Sequence, residues 1–342
     1  MSSVLTDLGV VNPVLAAPMA GGATTVELVA AAESAGSLGF LAAGYLGVEQ
    51  VAALLGESRA RCSRFGVNLF APNPVPISDA DYRAYSDRLR PLAEQYGVEL
   101  PPEPISDDDQ FAAKVDLLLN DPVPMVSFTF GIPPREVIAS LRRRGTVVVQ
   151  SVTNAEEARA AVDAGVDALA PQGCFAGGHS ATLTPGRWPA PVPTAELVSS
   201  IRAAVSVPIV AGGGLSTPSA VREVLTSGAA GALVGTALLR CPEAGTSATH
   251  RAALADGSRT ETVLTRAFTG RPARGIRNGF IDRFDAVAPA GYPALHHLTS
   301  ALRKAAASAG DADAVHLWAG TGFRNAVEVP AAAVLQELAS AL

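Results

Sequence analysis

The sequence is poor in histidine, cysteine and charged residues. It has 5 histidines and 3 cysteines in 342 residues, and only 17% of its residues are charged. The cysteines, Cys62, Cys174 and Cys241, are odd in number and widely spaced, so they form neither a disulfide framework nor a CxxC pair for a metal. We therefore expect no metal site, and the cysteine usage fits a reducing cytoplasm.

A net basic charge is also missing. The formal net charge is -6 at pH 7, so no positive field favours nucleic acid as a partner. The uncharged run between Leu8 and Val26 follows no basic segment and is broken by Pro13, Pro18 and three glycines. We expect no signal peptide, no membrane span and a cytoplasmic location.

What the chain does contain is a repeated alternation of short apolar runs with alanine-rich segments of helical spacing. This alternation is typical of βαβ units, and eight units predict an α/β protein with a (β/α)8 TIM barrel. An open doubly wound sheet is the alternative, but its GxGxxG fingerprint is absent. The predicted strands are 13–19, 38–44, 65–70, 124–130, 146–152, 166–172, 207–213 and 231–237.

Helices are predicted between these strands, with threonines as N-caps at Thr24, Thr153, Thr194 and Thr217. The alternation stops after Leu239. We predict that residues 1–239 form the barrel, with a helical insertion at about 71–123, and that residues 240–342 form a smaller, mainly helical region over the barrel mouth, on the substrate side. The predicted helices are 24–36, 47–58, 79–96, 108–119, 135–143, 154–164, 194–205, 217–228, 245–267, 293–309 and 330–341.

Glycines follow the seventh and eighth strands, where barrels of this kind often bind phosphate. Strand seven ends in "AGGGLSTPS", so Gly213 and Gly214 expose backbone N–H groups just before a capped helix. Strand eight ends in "VGT", which adds the Gly235 N–H and the Thr236 hydroxyl. These four residues predict an anion site, although glycines here also serve tight turns.

Other polar or flexible side chains end strands on the same rim. Met19, Asn68 and Gln172 lie at these ends, and amide groups, which both donate and accept, suit the mixed edge of a flavin ring. His179 follows Gly177 and Gly178 in "PQGCFAGGHSAT", where the imidazole is a candidate for proton transfer. The remaining histidines, His250, His296, His297 and His316, are interpreted as structural or solvated, and Cys174 has no neighbour that would activate its thiol.

These segments resemble the FMN-dependent nitronate monooxygenases, also called 2-nitropropane dioxygenase-like flavoproteins. The similarity runs in order through "AAPMAGG", "GVNLF", "PQGCFAGGHSAT", "IVAGGGLSTP", "LVGTALL", "TRAFTGRPARGIRN" and "LWAGTG". The resemblance implies that residues 1–239 bind FMN and that His179 is catalytic. It places the flavin phosphate at Gly213, Gly214, Gly235 and Thr236, and the ring and ribityl chain against Met19, Asn68, Gln172 and Gly177.

The activity implied is the oxidation of alkyl nitronates, and of nitroalkanes where these are accepted, by dioxygen to a carbonyl compound and nitrite. The sequence departs from the family at Phe175, where an acidic residue is common, and at Ser180, where an arginine is common; both changes would remove charge beside the imidazole. Two alternatives stay open. One is a flavin-dependent enoyl-ACP reductase using NAD(P)H, and the other is a flavin-binding protein without turnover. No oligomeric state follows from the sequence.

Overall fold

Eight parallel strands form a nearly closed barrel in the computed structural model, which describes residues 4–342. Bridges Leu169–Ile209 and Gln172–Gly212 join the two edges of the sheet. The predicted (β/α)8 barrel is confirmed, and each of its strands overlaps a predicted one. The barrel strands are β1 (Val14–Ala16), β2 (Gly39–Ala42), β3 (Phe65–Ala71), β4 (Met125–Phe130), β5 (Val147–Val152), β6 (Ala168–Pro171), β8 (Val210–Gly212) and β9 (Gly231–Val234).

The strands are apolar throughout because both of their faces are buried, as is usual for parallel sheets. One set of side chains, including Leu15, Phe40, Met125 and Val149, forms a core cluster with Leu5 of the first helix. The alternate residues pack against the surrounding helices in a larger cluster. The helices are α1 (Val4–Asp7), α2 (Val26–Ser34), α3 (Val48–Arg59), α4 (Asp79–Gln95), α5 (Phe111–Asn120), α6 (Arg135–Arg143), α7 (Ala155–Ala164), α8 (Thr194–Ala204), α9 (Pro218–Thr226), α10 (Ala248–Ala255), α11 (Gly279–Phe284), α12 (Ala294–Ser308) and α13 (Ala331–Ala339).

Three of the four predicted N-caps are wrong. Thr217 caps α9 as expected, by accepting a hydrogen bond from the Ala220 N–H. The caps of α2 and α7 are Thr25 and Asn154, each one residue after the predicted threonine. Thr194 lies inside α8 instead, so its hydroxyl is free to bond elsewhere.

The region after the barrel contains a small sheet that the sequence did not predict. Strands β10 (Thr262–Thr265) and β11 (Ala273–Ile276) pair antiparallel, and β11 also pairs with β7 (Gly178–His179). The expected helix over 245–267 therefore ends early, at Ala255. Pairing with β7 fixes the backbone of His179 against this added region.

Two helices pack against the part of the protein on the other side of the predicted division at residue 239. Helix α4, from the insertion, contributes Tyr82, Tyr85 and Leu89 to the core cluster of the C-terminal region, whereas α5 packs on the barrel. Helix α13, at the end of the chain, packs against β1, α2 and α9. The division at residue 239 stays a prediction, and these helices tie its two parts together. Within residues 4–342, no helix combines the length and apolar character needed to cross a bilayer.

Candidate active site

The carboxyl ends of the barrel strands open into a cavity of about 560 Å³. The cavity also has walls from the C-terminal region, including residues of α10 and α12. Every site residue predicted from the sequence lines it. These residues are Met19, Asn68, Gln172, Gly177, His179, Gly213, Gly214, Gly235 and Thr236.

The glycine turn after β8 forms one side of the cavity. Gly213 and Gly214 have φ angles of +120° and +74°, which L side chains rarely adopt. Outside regular secondary structure, their N–H groups and that of Gly235 donate to no other backbone group in the described part of the chain. The turn leads into the N-terminus of α9, so its donors and the helix dipole both favour an anion.

Neighbouring segments hold this turn in place. The Thr194 hydroxyl donates to the Gly213 carbonyl at 2.6 Å. The Gly320 N–H donates to the Thr236 hydroxyl at 3.0 Å, and the Thr321 N–H donates to the Phe175 carbonyl at 3.1 Å. The "AGTG" segment of the C-terminal region therefore joins the loops that follow β6 and β9.

The geometry explains why glycines stand in these loops. A Cβ on Gly214 would lie 3.0 Å from the Phe175 Cβ, and one on Gly235 would lie 3.4 Å from the Met19 sulfur. A Cβ on Gly177 would lie 2.6 Å from the Ala319 carbonyl carbon. Gly177 is thus required by the packing of two backbones, whereas side chains at Gly214 and Gly235 would narrow the cavity. The glycine-lined wall fits a phosphate group.

The two predicted amide residues, Asn68 and Gln172, both line the cavity but differ in which of their atoms already form hydrogen bonds. Asn68 Nδ2 already donates to the Ser127 hydroxyl at 2.9 Å and to the Thr129 hydroxyl at 3.0 Å. Gln172 donates to the His179 carbonyl at 3.1 Å and accepts from the Ala181 N–H at 2.7 Å. Asn68 therefore offers mainly an acceptor, while Gln172 holds the loop that carries His179.

Three aromatic side chains surround the ring of His179. Its ring packs edge-on against Phe130, Tyr292 and Trp318, with centroids 5.8, 5.7 and 5.5 Å away. Nε2 lies 2.8 Å from the Thr269 hydroxyl, and Nδ1 forms no hydrogen bond to residues 4–342 and is open to the cavity. The imidazole is held by one nitrogen and presents the other to a ligand.

Burial, together with the nearby guanidinium groups of Arg271 and Arg303, lowers the pKa of His179 to about 3. The imidazole is therefore neutral near pH 7. Arg271 packs over the Phe130 ring at 4.0 Å and donates to the Ser180 carbonyl at 3.2 Å, and it does not line the cavity. A neutral histidine beside two buried cations favours a negatively charged ligand.

Three histidines interpreted as structural or solvated are part of the cavity wall. His250, His296 and His316 all line it, whereas His297 contacts Asp107 at 3.2 Å. Tyr45, which the sequence analysis did not single out, stacks on His296 with ring centroids 4.1 Å apart. His296, Ser300 and Arg303 are spaced four and three residues apart, so they lie on one face of α12. This spacing was the sequence signal that could have identified them as cavity residues.

The two departures from the family pattern lie away from the cavity surface. Phe175 packs beside Gly214, and the Ser180 hydroxyl accepts from the Thr182 N–H at 3.3 Å. Neither side chain lines the cavity, and the expected loss of charge beside the imidazole stays a prediction. Cys174 is buried, and burial raises the pKa of its thiol.

The lining residues carry positive charge and no negative charge. Arg303 and Lys304 line the cavity, and no Asp or Glu does so among residues 4–342. The described residues also contain no group of three or more His, Cys, Asp or Glu side chains that could hold a metal. The arrangement suits anionic ligands bound by hydrogen bonds and guanidinium or ammonium groups.

A (β/α)8 barrel with a glycine-lined turn and a histidine at the carboxyl ends of its strands belongs to the class of barrels that bind ligands at this end. The sequence profile of the family described as nitronate monooxygenase matches residues 2–340. The chain belongs to the nitronate monooxygenase family, whose members are typically flavin-dependent. The flavin-dependent alternatives considered from the sequence therefore rank below this assignment.

Similar proteins agree with the family. A probable nitronate monooxygenase from Staphylococcus aureus strain Newman is 34% identical over 336 residues, covering 97% of this chain and 94% of that protein. The structure of nitroalkane oxidase from Streptomyces ansochromogenes is 44% identical, with a TM-score of 0.93 over 99% of this chain and 97% of the other. FabK from Thermotoga maritima, at 22% identity and a TM-score of 0.77 over 99% and 95% of the two chains, shares the fold.

Proposed function

We propose that this protein binds FMN and oxidises alkyl nitronates with dioxygen, giving a carbonyl compound and nitrite. The observation that carries the proposal is a single cavity in which a glycine-lined anion site and the neutral His179 share one space without any carboxylate. The atoms balance when one dioxygen serves two nitronates. When bound, FMN supplies the redox chemistry, electron acceptance from the nitronate and electron transfer to dioxygen.

FMN fits better than FAD because the loops after β8 and β9 form one glycine-lined phosphate site and the sequence has no GxGxxG dinucleotide fingerprint. Gly213, Gly214, Gly235 and Thr236 would hold the phosphate through backbone N–H groups and a hydroxyl. Met19, Asn68 and Gln172 would lie along the ring and the ribityl chain, with Asn68 supplying an acceptor. Gly177 would contribute a backbone surface, because its position beside Ala319 leaves no room for a side chain.

His179 would act on the substrate through Nδ1, and Thr269 decides what Nδ1 can do. The Thr269 hydroxyl has the Arg271 carbonyl at 3.4 Å as an acceptor. When it donates there, it accepts from His179 Nε2–H, and the Nδ1 lone pair can take a proton from a neutral nitroalkane. When it donates to Nε2 instead, Nδ1–H can hydrogen-bond a nitronate oxygen.

The low pKa of the imidazole favours the nitronate as the better substrate. A general base works best when its pKa lies near the working pH, and a pKa of about 3 makes His179 a weak base toward a neutral nitroalkane. A nitronate has already lost that proton. Its negative charge also meets the fields of Arg271 and Arg303, which have no carboxylate partner in the described residues.

Purified protein in air tests the proposal directly. With propyl-2-nitronate we expect nitrite formation and oxygen uptake together, faster than with 2-nitropropane at the same concentration. Chromatography of the flavin released on denaturation should show FMN. Oxidation of NADH with a crotonyl thioester, in the absence of nitrite formation, would instead assign the protein to enoyl reduction. A protein that takes up FMN and turns over neither substrate set would be a binding protein.

A further inference from the structure

The cavity has a second polar wall, which the proposed chemistry does not use. Thr246 lies two residues before α10 and His250 lies in its first turn, and Ser300 and Lys304 lie one turn apart on α12. All four residues line the cavity. The Thr249 hydroxyl donates to the Ala307 carbonyl at 2.8 Å, which holds the two helices together.

Two buried polar atoms in this wall lack a partner. Thr246 Oγ1 and His250 Nε2 are buried and form no hydrogen bond of normal geometry within residues 4–342, although the Trp318 backbone lies near the His250 imidazole. More than about nine in ten buried polar groups in proteins are paired, and an unpaired one costs about 1–3 kcal/mol. Two such atoms four residues apart, both on residues that line a cavity, indicate a ligand position.

The charge of this wall indicates the chemistry of the ligand. Arg303 is buried, donates to His316 Nδ1 at 3.3 Å and to the His296 carbonyl at 3.0 Å, and pairs with no carboxylate in the described chain. Lys304 is exposed, lines the same cavity and has no ion pair among residues 4–342. The hydroxyl, imidazole, ammonium and guanidinium groups on this wall are all hydrogen-bond donors suited to an anion.

We propose that Thr246, His250, Arg303 and Lys304 form a distal oxyanion subsite that binds a carboxylate or phosphate group. The subsite is distinct from the glycine turn, since it is built on α10 and α12 rather than on the loops after β8 and β9. The oxyanion has two sources, the far end of the nitronate substrate or a separate phosphate-bearing molecule. The first source rests on the proposed function, and the second does not.

Paired substrates test the first source. The nitronate of 3-nitropropionate and that of its methyl ester share a reacting group and differ in the terminal charge. We expect wild type to prefer the acid in kcat/KM, and this preference to fall about tenfold in Lys304→Met and in Thr246→Val, as expected for one charge-assisted hydrogen bond. Arg159→Met, an exposed site on α7, makes the same charge change away from the cavity and should keep the preference.

Direct binding tests the second source. Flavin-loaded protein is titrated calorimetrically with inorganic phosphate and with acetate, and melting temperatures confirm that each variant is folded. Saturable phosphate binding that is lost in Lys304→Met and Thr246→Val, without any acid preference in kcat/KM, assigns the subsite to a separate molecule. If neither the acid preference nor anion binding depends on these residues, the subsite is wrong. If no nitronate gives nitrite, the proposed function fails, and the titration still decides the subsite.

Discussion

The environment of single residues decides the chemistry of this cavity more than the residue types do. His179 was selected from the sequence as a proton-transfer group, and its surroundings hold it neutral with a pKa of about 3. Thr269, which lies 90 positions away in the chain, is its hydrogen-bond partner. No local pattern around either residue shows this pairing, because the two meet only after β7 pairs with β11.

Replacing His179 with Asn tests this residue. Asn keeps a hydrogen-bonding side chain and removes the basic nitrogen. We expect the rate with neutral nitroalkane to fall about 10²–10⁴-fold, as for general acid–base catalysis. The low pKa of His179 places the expected loss at the lower end of this range. With the preformed nitronate the loss should be about tenfold, the effect of one weakened hydrogen bond. Steady-state nitrite formation with both forms of one substrate measures the difference.

The control for His179→Asn is Thr269→Val, which removes the partner of Nε2 and keeps the imidazole. Its effect should be smaller for both substrates and should shift the pH profile. Flavin spectra and melting temperatures are recorded for both variants. Unchanged rates with both substrate forms would remove His179 from the chemistry, and lost flavin or a much lower melting temperature would show that it serves the fold.

At the scale of elements, the loops that follow the barrel strands are held together by hydrogen bonds to one another and to the C-terminal region. Gln172 holds the His179 loop, Thr194 holds the glycine turn, and Gly320 reaches Thr236 from the far end of the chain. Small residues in three separate segments allow these close contacts. The loops therefore order the anion site together.

A carboxylate in the glycine turn should disrupt this site. We expect Gly214→Asp to weaken FMN binding by at least about tenfold, because the carboxylate repels the flavin phosphate and the residue is strained at a φ of +74°. Gly186→Asp adds the same charge in a loop where a Cβ would meet nothing within 4 Å. Equilibrium titration with FMN compares the two variants. Equal FMN affinity in Gly214→Asp and wild type would place the phosphate elsewhere.

The elements that were predicted correctly are those whose position is encoded by neighbouring residues in the sequence. The eight barrel strands are runs of apolar residues followed by glycine, proline or asparagine, and the Thr217-Pro218 pair correctly predicted the start of α9. Strands β7, β10 and β11 were missed because each has only two to four residues and depends on pairing across long separations. Thr24 and Thr153 failed as caps because Thr25 and Asn154, equally suitable, come one residue later.

At the scale of the whole molecule, the cavity lies where two core clusters meet. The barrel carries the glycine turn, and the C-terminal region with α4 carries α10, α12 and Trp318. Sequence could predict the barrel half, because its site residues follow predicted strands. It could not predict the other half, because Arg303, His296 and His316 become cavity residues only through the packing of α12 over the mouth.

This packing buries several histidines as neutral groups, and the whole protein should lose stability in acid as a result. Burial lowers the pKa of His179 to about 3 and that of His250 to about 4, from an ordinary value of 6.5. Between these values and 6.5 the unfolded chain binds more protons than the folded chain, so the free energy of unfolding falls as pH falls. From pH 6.5 to 5.0 each of the two should contribute a loss of about 1.6 kcal/mol, and His296 and His316, whose pKa values burial also lowers, should add to the total. Urea unfolding at both pH values, at one flavin concentration, measures the loss. The side chain of the variant His250→Gln does not titrate. Between the two pH values, its free energy of unfolding should therefore fall by about 1.6 kcal/mol less than that of wild type. Equal stability of wild type at the two pH values would show that these imidazoles are not buried as neutral groups.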